Sequence, residues 1–414
     1  MHTQQLKNYP HPTTISMLDN GLAVITMQTP SRRIRLRYGV RAGSIQDKEN
    51  KGIAHFFEHM WAQGPNREPV HPRFRPVAIK GVHSNAGTGQ SFMFFDAWGL
   101  DKRFQEMLER FHSVVFDFQT TEQSVREEIS IIQQELEQRE METRFSEMLM
   151  KLMYPLNPHV QHLPGGTIEG VRAITLEKLH AFHKQWFHPQ NMALIVTGNI
   201  GHQEVLDMLL KQPLPQNNGK MAHIKEPLHP LFKRSVYRCK DRPPELNLYF
   251  PRPEDEYDDV LIEFARDMLT QGMLSILVER LRTKEQKIYN AGAIPWKSIP
   301  MHFIIFTINL RPELFDEVEG EVLEEIEKLA KGQIPDDMFQ MVYEVNHEHY
   351  ATWKTEIDGD DWRDILFEEW VDGRIFHDND MARMFARVTK EDVARAVREY
   401  WTKVHGCVHV ILEE

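Results

Sequence analysis

Alternation of hydrophobic and polar residues near the start of the chain predicts β-strands. An apolar run over residues 22–27 follows the turn Leu18-Asp19-Asn20-Gly21, and apolar residues alternate with basic ones over 33–40. Both patterns are typical of strands bounded by turn residues. Residues 85–98, which contain three clustered phenylalanines, are also predicted to form a strand. The first part of the chain is therefore expected to build a sheet.

Other segments repeat their apolar residues with the period of a helix. Helices are predicted over residues 52–63, 100–116 and 121–153. In the last of these, apolar residues recur at spacings of four, three and four, which is the pattern of one buried helix face. These residues are Val125, Ile129, Ile132 and Leu136.

The two halves of the chain resemble each other. A capped helix that begins near Thr175 and runs on to a strand is similar to one that begins near Thr389, at an offset of 389 − 175 = 214 residues. The run 60–64 also matches 268–272, at an offset of 272 − 64 = 208 residues. Chance similarity of two such helices is the alternative. A two-fold repeat of one mixed unit is the more economical interpretation.

A run rich in proline, asparagine and glycine separates the two halves. We predict an N-terminal domain over residues 1–212, a linker over 213–230 and a homologous C-terminal domain over 231–414. The expected fold class is α+β, in which each domain has a mostly antiparallel sheet flanked by helices.

Composition and charge argue against several classes of protein. The chain has 414 residues and a net charge of −12, which argues weakly against nucleic acid as a partner. No apolar stretch approaches the ~20 residues of a membrane-spanning helix, and the first residues do not resemble a secretory signal. The two cysteines, Cys239 and Cys407, have neither disulfide nor metal-type spacing. A cytoplasmic location is therefore expected, without a membrane partner.

The motif that carries most chemical information is His55-Phe56-Phe57-Glu58-His59 in the first predicted helix. Residues four apart lie on one helix face, so both imidazoles are able to reach one ion. Imidazole nitrogen suits zinc, and Glu58 is placed to take a proton from a metal-activated water. The order H-x-x-E-H is the reverse of the more common H-E-x-x-H. The second half lacks these donors at the corresponding positions, which are Glu263, Arg266 and Asp267.

A third metal ligand has to come from another segment. Glu128 and Glu135 are seven residues apart in the helix predicted over 121–153, so they share a face. Glu135 would complete a set of two histidines and one glutamate, and Glu128 would orient a ligand or help with protons. This helix contains many other glutamates, so from composition alone a solvated face is an equally good interpretation of Glu135.

These motifs resemble those of the pitrilysin/insulinase family of zinc peptidases. The match includes Gly52-Ile53-Ala54 with the H-x-x-E-H motif, and the run 128–135 is similar to the family's paired-glutamate helix. The resemblance implies that Glu135 is the third zinc ligand and Glu128 the auxiliary glutamate. It also implies that Asn85 and Ala86 lie on a strand that borders the active site and pairs with the substrate.

The second half carries a further part of the resemblance. Residues 281–289 are similar to a family segment whose arginine and tyrosine are thought to contact substrate and the developing oxyanion; by position these are Arg282 and Tyr289. Gln286-Lys287 replaces a usual glycine there, which leaves specificity open. Taken without the resemblance, a surface arginine and a core tyrosine are the better interpretation.

The chain therefore resembles a short family type in which two chains pair as a clamshell-like dimer. A homodimer is expected, because the metal motif and the Arg/Tyr pair occur in one chain, and a heterodimer is the alternative. The predicted function is a zinc-dependent endopeptidase with one Zn²⁺ per chain, in which Glu58 is the general base and peptides or unstructured polypeptides are hydrolysed inside a closed chamber. The alternatives are a non-catalytic partner or scaffold subunit and a structural zinc protein.

Overall fold

A computed structural model describes residues 1–7, 9–64, 70–138, 140–216, 219, 221–222, 231–240, 242–298, 301–356, 359–376, 381–403 and 405–412. The chain divides into two compact units. The first contains residues 1–151, 157–227 and 355–378, and the second contains 152–156, 228–354 and 379–414. Most of the predicted linker, namely 217, 218, 220 and 223–230, lies outside the described residues.

The first half of the chain contains seven strands and eight α-helices among its described residues. The strands are β1 (His2–Leu6), β2 (Thr13–Met17), β3 (Ala23–Gln28), β4 (Arg33–Val40), β5 (His83–Thr88), β6 (Met93–Leu100) and β7 (Met192–Gly198). The helices are α1 (Ile53–Gln63), α2 (Arg75–Ala78), α3 (Phe104–Phe116), α4 (Glu122–Gln138), α5 (Glu140–Met153), α6 (Ile168–Arg172), α7 (Leu176–Trp186) and α8 (His202–Leu209).

The second half has five strands and six α-helices among its described residues. The strands are β8 (Arg234–Cys239), β9 (Glu245–Pro251), β10 (Ile288–Ser298), β11 (Met301–Leu310) and β12 (Gly406–Leu412). The helices are α9 (Glu256–Thr270), α10 (Phe315–Ala330), α11 (Asp336–Glu356), α12 (Gly359–Val371), α13 (Met381–Phe385) and α14 (Lys390–Tyr400). A π-helical turn spans Val278–Lys284.

The two sheets repeat one strand order. The first sheet has the order β1-β2-β3-β7-β4-β6-β5, and the second, taken from β8, has the order β8-β12-β9-β11-β10. One pair in each sheet is parallel, β3 with β7 and β8 with β12, and the other described pairs are antiparallel. The predicted fold class of two related, mostly antiparallel α+β units is confirmed.

Matching helix caps accompany the matching sheets. The Thr175 hydroxyl accepts a hydrogen bond from the backbone N–H of Lys178 at the start of α7, and the Thr389 hydroxyl accepts one from Asp392 at the start of α14. An N-cap threonine satisfies an amide that the first helical turn leaves without a backbone partner. The sequence similarity around these two threonines therefore has a structural cause.

The strand predicted over residues 85–98 is wrong as a single element, because it is a hairpin. The backbone N–H of Gly89 donates to the carbonyl of Phe92 at 2.8 Å, and this turn joins β5 to β6. The glycines at 87 and 89 allow the turn, since a Cβ at either position would lie within 3.0 Å of a phenylalanine ring. The apolar residues on both sides of the turn concealed it in the sequence.

Helix α12 belongs to the first unit although it follows the predicted linker. Its Phe367 ring lies so close to Gly39 of β4 that a Cβ there would approach the ring to 2.2 Å. Arg37 of β4 donates to Asp96 at 2.7 Å and pairs with Asp364 of α12 at 2.7 Å. These contacts attach a distant part of the sequence to the first sheet. In the part of the chain that the structure describes, no helix is long and apolar enough to span a membrane.

Candidate metal centre

The start of α1 is fixed by a buried carboxylate. Asp47 accepts hydrogen bonds from the backbone N–H groups of Gly52 at 2.7 Å and Ala54 at 3.0 Å, so it serves two amides of the first turn. Gly52 adopts a left-handed conformation with φ 95°, which glycine tolerates best. Burial raises the pKa of the Asp47 carboxyl well above its usual range, although the two backbone hydrogen bonds act in the opposite direction. The position of His55 depends on this turn.

The two histidines of α1 lie side by side. Their ring centroids are 4.6 Å apart, as expected for residues one helical turn apart. His55 is 8% exposed, and the His59 side chain is 20% exposed. Phe56 and Phe57 between them are fully buried and hold α1 in the core, so both imidazoles face the same side of the helix.

Helix α4 brings a carboxylate to both imidazoles. Glu135 Oε2 lies 3.9 Å from His55 Nε2 and 3.5 Å from His59 Nε2. One ligand atom from each of the three residues lies within 4.8 Å of the others. A tetrahedral zinc ion with ligand distances of about 2.0–2.1 Å separates its ligand atoms by about 3.3–3.4 Å. Glu135 Oε2 therefore lies only slightly farther from each imidazole nitrogen than a bound zinc ion would require.

Glu128 contacts the same imidazole from the other side. The fully buried carboxylate accepts a hydrogen bond from His59 Nδ1 at 2.9 Å, which leaves Nε2 directed toward Glu135. A carboxylate that holds the second nitrogen of a metal-binding histidine fixes both its tautomer and its orientation. Burial lowers the pKa of His59, but the hydrogen bond to Glu128 and the nearby carboxylate charges outweigh it and raise the pKa. The site therefore favours positive charge.

Glu58 lines a cavity next to the histidines. The Thr88 hydroxyl at the end of β5 donates to Glu58 Oε2 at 2.6 Å and fixes the carboxylate. A cavity of about 290 Å³ is lined by His55, Glu58, Thr88 and the loop 163–166. This volume is large enough for a water molecule and part of a peptide chain.

The loop 163–166 approaches α1 through glycines. A Cβ at Gly166 would lie 2.4 Å from Gly52, and one at Gly52 would lie 2.7 Å from the carbonyl oxygen of Gly165. Only residues without a side chain allow this contact. The loop thereby forms part of the wall of the cavity.

The predicted substrate-binding residues lie at an edge of the first sheet. β5 ends the strand order, so its outer edge has no strand partner among the described residues. Asn85 is exposed and Ala86 is half-buried, and they pair with Asp96 and Phe95 of β6. Their strand is the one that carries Thr88 to Glu58. An extended peptide is able to add to such an edge.

The other two predicted catalytic residues belong to the second unit. The metal-donor set belongs to the first. Arg282 is exposed in the π-helical turn, where its Nη1 lies 3.5 Å from the Met273 sulfur. Tyr289 is the second residue of β10 and is 71% exposed, so it is not a core tyrosine. Both side chains are therefore accessible to a substrate or to another chain.

Several residues of this site were not predicted from the sequence. Asp47, Thr88 and the glycines of the loop 163–166 each position a site residue or line the cavity. Thr88 stands in the run Asn85-Ala86-Gly87-Thr88, so its strand was recognised without its role. The Pro164-Gly165-Gly166 sequence signals a turn, but nothing in it indicates contact with Gly52.

A repeated α+β unit that carries a metal-donor set in its first copy characterises the class of proteins to which this chain belongs. Two models of one family match the chain: "Insulinase (Peptidase family M16)" matches residues 23–165, and "Peptidase M16 inactive domain" matches residues 173–344. Together these two matches span most of the 414 residues. The chain belongs to the pitrilysin/insulinase family, M16, as the motifs predicted.

Relatives in this family have different names and lengths. Cytochrome b-c1 complex subunit 1, mitochondrial, from Bos taurus is 25% identical over 215 residues, which are 51% of this chain and 44% of the relative. Probable zinc protease PqqL from Escherichia coli (strain K12) is 24% identical over 331 residues, which are 75% of this chain and 35% of the relative. The matched region thus spans less than half the length of these curated relatives.

A solved structure has the same fold over nearly the whole chain. A protease from Helicobacter pylori superposes with a TM-score of 0.80 at 19% identity, and the match covers 97% of this chain and 100% of that one. At this identity the similarity shows the shared fold. The chain thus has a peptidase-family fold, and relatives named zinc proteases imply zinc in the family.

Proposed function

We propose that this chain is a zinc-dependent endopeptidase in which His55, His59 and Glu135 hold one Zn²⁺. The observation that carries the proposal is the convergence of these three donors, within 4.8 Å of one another, beside a cavity that Glu58 lines. Two imidazoles and one carboxylate with an open position are the donor set of catalytic zinc, whereas structural zinc sites have four protein ligands. The arrangement therefore favours a hydrolytic zinc site over a structural one.

Zinc, when bound, would activate a water molecule and polarise the scissile carbonyl. The protein's own contribution is proton transfer and orientation. Glu58 takes the proton from the attacking water and returns it to the leaving amine, and Thr88 holds its carboxylate through the 2.6 Å hydrogen bond. Glu128 keeps His59 in the tautomer in which Nε2 is free to bind metal.

The substrate is expected to be an extended peptide or an unstructured polypeptide. The open edge of β5 offers backbone groups near Asn85 and Ala86, and strand addition there would lead a peptide past Thr88 toward Glu58. A folded substrate has few free strand edges, so selection for extended chains follows from the edge itself.

Arg282 and Tyr289 are proposed to complete the site in the assembled enzyme. Both are exposed donors that are able to stabilise the charge of a tetrahedral intermediate. A homodimer that encloses a chamber is the proposed assembly, because both the metal donors and this pair are present in one chain. A heterodimer is the alternative assembly. The cytoplasmic location stays a prediction.

Turnover of a mixed pool of quenched, unstructured peptides tests the proposal. Wild type is compared with Glu58→Gln and with Glu137→Gln, an exposed glutamate near the end of α4, each with and without a chelator. We expect wild type and Glu137→Gln to cleave until the chelator is added, and Glu58→Gln to be inactive. Equal cleavage by Glu58→Gln and wild type would contradict the assignment of the base.

The alternative is a non-catalytic partner or scaffold subunit. Similarity to a cytochrome b-c1 complex subunit favours it, and so does the description "inactive domain" for the family model that matches residues 173–344. The same assay separates the two functions. Absence of cleavage by a wild-type chain that binds zinc at His55, His59 and Glu135 would support the partner subunit.

A further inference from the structure

A second cluster of side chains of metal-ligating types lies in the second unit, between helix α10 and strand β12. Cys407 and His409 are two residues apart on β12, so both side chains lie on the same face of the sheet. Glu319 reaches them from α10. One ligand atom from each of the three residues lies within 4.8 Å of the others. These residues have no part in the proposed peptidase chemistry.

The distances between the donors suit a tetrahedral ion. Glu319 Oε2 lies 3.3 Å from Cys407 Sγ and 3.3 Å from His409 Nε2. Zinc with a bond of about 2.3 Å to sulfur and about 2.0 Å to nitrogen or oxygen requires ligand separations of about 3.3–3.5 Å. The two measured separations from Glu319 therefore match those that an ion bound by these side chains requires.

The positively charged guanidinium of Arg234 already lies beside these donors. Arg234 Nη2 lies 2.8 Å from Glu319 Oε2 and 3.4 Å from His409 Nε2, and it also contacts Asp316. Arg234 stands on the outermost strand β8, and its side chain is 55% exposed, so it is able to swing into solvent. An ion pair with such an exposed arginine contributes little stability, so the loss of this pair would not prevent metal binding.

Burial and chemistry favour zinc over harder cations. Cys407 is 2% exposed, His409 8% and Glu319 9%, and thiolate with imidazole and carboxylate is a donor set that zinc prefers. Asp316, one turn before Glu319 on α10, contacts the same arginine nitrogen and is available as a fourth ligand. A simple buried ion pair would need neither the thiol nor the imidazole.

The thiol is protonated before a metal binds. Burial and the charge of Glu319 raise the pKa of the Cys407 thiol, and its S–H donates to Glu319 Oε2. Formation of the metal–sulfur bond breaks the S–H bond and releases one proton to solvent.

We propose that Cys407, His409 and Glu319 form a second zinc site, in which the metal replaces the guanidinium of Arg234. The site is independent of the donor set His55, His59 and Glu135, and it does not depend on peptidase activity. Because that first set contains no sulfur, a metal–thiolate signal cannot come from it and has to come from Cys407 or Cys239.

Titration of the metal-free full-length protein with Co²⁺ provides the test, because cobalt bound to thiolate gives a near-ultraviolet charge-transfer band. We expect wild type to show this band, Cys407→Ser to lose it, and Cys239→Ser, the matched control, to keep it. Arg234→Gln should bind Co²⁺ several-fold more tightly, since the competing charge is removed. Zinc content after dialysis should fall from two per chain to one in Cys407→Ser.

The outcomes distinguish the proposal from its alternatives. Absence of the band in both wild type and Arg234→Gln at excess Co²⁺ would overturn it. Loss of the band in Cys239→Ser with retention in Cys407→Ser would assign the signal to the wrong cysteine and would also overturn it. The Arg234→Gln measurement keeps the test decisive if Cys407→Ser fails to fold, because that variant retains every proposed ligand.

Discussion

Helices α1 and α9 occupy equivalent positions in the two units, but their polar residues differ: those of α1 are metal donors, and those of α9 form ion pairs. Each helix follows the equivalent strand of its sheet, β4 or β9, and each buries a phenylalanine and a methionine at corresponding positions. These apolar residues are Phe56 and Met60 in α1, and Phe264 and Met268 in α9. The scaffold is therefore conserved between the units, while the chemistry is not.

In the second unit, charged side chains replace the metal donors. Asp267, at the position of His59, accepts from Arg266 Nη2 at 2.6 Å and from Asn346 Nδ2 at 3.1 Å. Glu263, at the position of His55, pairs with Arg252. Guanidinium groups thus neutralise the carboxylates that stand where the first unit has imidazoles.

The helix that follows shows the same contrast. Asn346 of α11 touches Asp267 just as Glu135 of α4 touches His59, and 346 − 135 = 211 residues is close to the other offsets of the repeat. An amide donates to an aspartate, whereas a glutamate adds a third metal donor. One pair of helices is therefore able to build either a metal site or an ion-paired core, depending on a few side chains.

Conversion of Glu135 to the residue of the second unit should have the largest effect. Glu135→Asn removes the carboxylate ligand, and we expect zinc affinity to fall by more than about 100-fold, since even outer partners of metal ligands contribute about 10–100-fold. Peptide hydrolysis should fall to the level of chelated wild type. Zinc titration and turnover measure the two effects. Full zinc binding in Glu135→Asn would show that the third ligand lies elsewhere.

The next largest effect is expected for the base. Glu58→Gln keeps the shape of the side chain and its contact with Thr88 but removes the proton acceptor, so kcat should fall by about 10²–10⁴-fold. Zinc content should stay at the wild-type level in this site. Steady-state kinetics with zinc analysis of the same samples checks both. A loss of activity that follows a loss of zinc would assign Glu58 a structural role instead.

A smaller effect is expected for the carboxylate behind His59. Glu128→Gln weakens the hydrogen bond to Nδ1 and should lower zinc affinity by about 10–100-fold. Glu127→Gln, the exposed neighbour on α4, is the matched control and should bind zinc as wild type does. Competition with a chromophoric chelator measures the difference. Equal affinities of the two variants would contradict the orienting role of Glu128.

The smallest effect concerns stability in the second unit. Burial raises the pKa of Asp267, although Arg266 and Asn346 lower it in part. The folded state therefore binds the Asp267 proton more tightly than the unfolded state. This contribution to stability is present below the ordinary carboxyl pKa and is lost as the pH rises through the folded value.

Asp267→Asn removes this titration. The difference in free energy of unfolding, variant minus wild type, should therefore increase from about pH 4 to about pH 7. Urea unfolding at the two pH values measures the change, with Asp337→Asn, an exposed aspartate on α11, as the control. A difference between variant and wild type that is the same at both pH values would contradict the assigned pKa direction.

The two-fold repeat was predictable because it depends on local signals. The caps at Thr175 and Thr389 and the similar runs at 60–64 and 268–272 are visible in the sequence and correspond to equivalent elements. The hairpin of β5 and β6 was missed because apolar residues continue on both sides of its turn. Helix α12 could not be assigned to the first unit, since the fit of Phe367 against Gly39 joins residues more than three hundred positions apart.

The sequence by itself determined which residues are able to bind zinc in α1, because helix periodicity alone places His55 and His59 on one face. Tertiary structure decided that Glu135 faces them and that Glu128 contacts His59, since these contacts depend on how α4 packs against α1. It also brought Cys407 to Glu319, 88 residues away in the chain. Donor atoms that come from different elements have no fixed spacing in sequence, so only the packed fold brings them together.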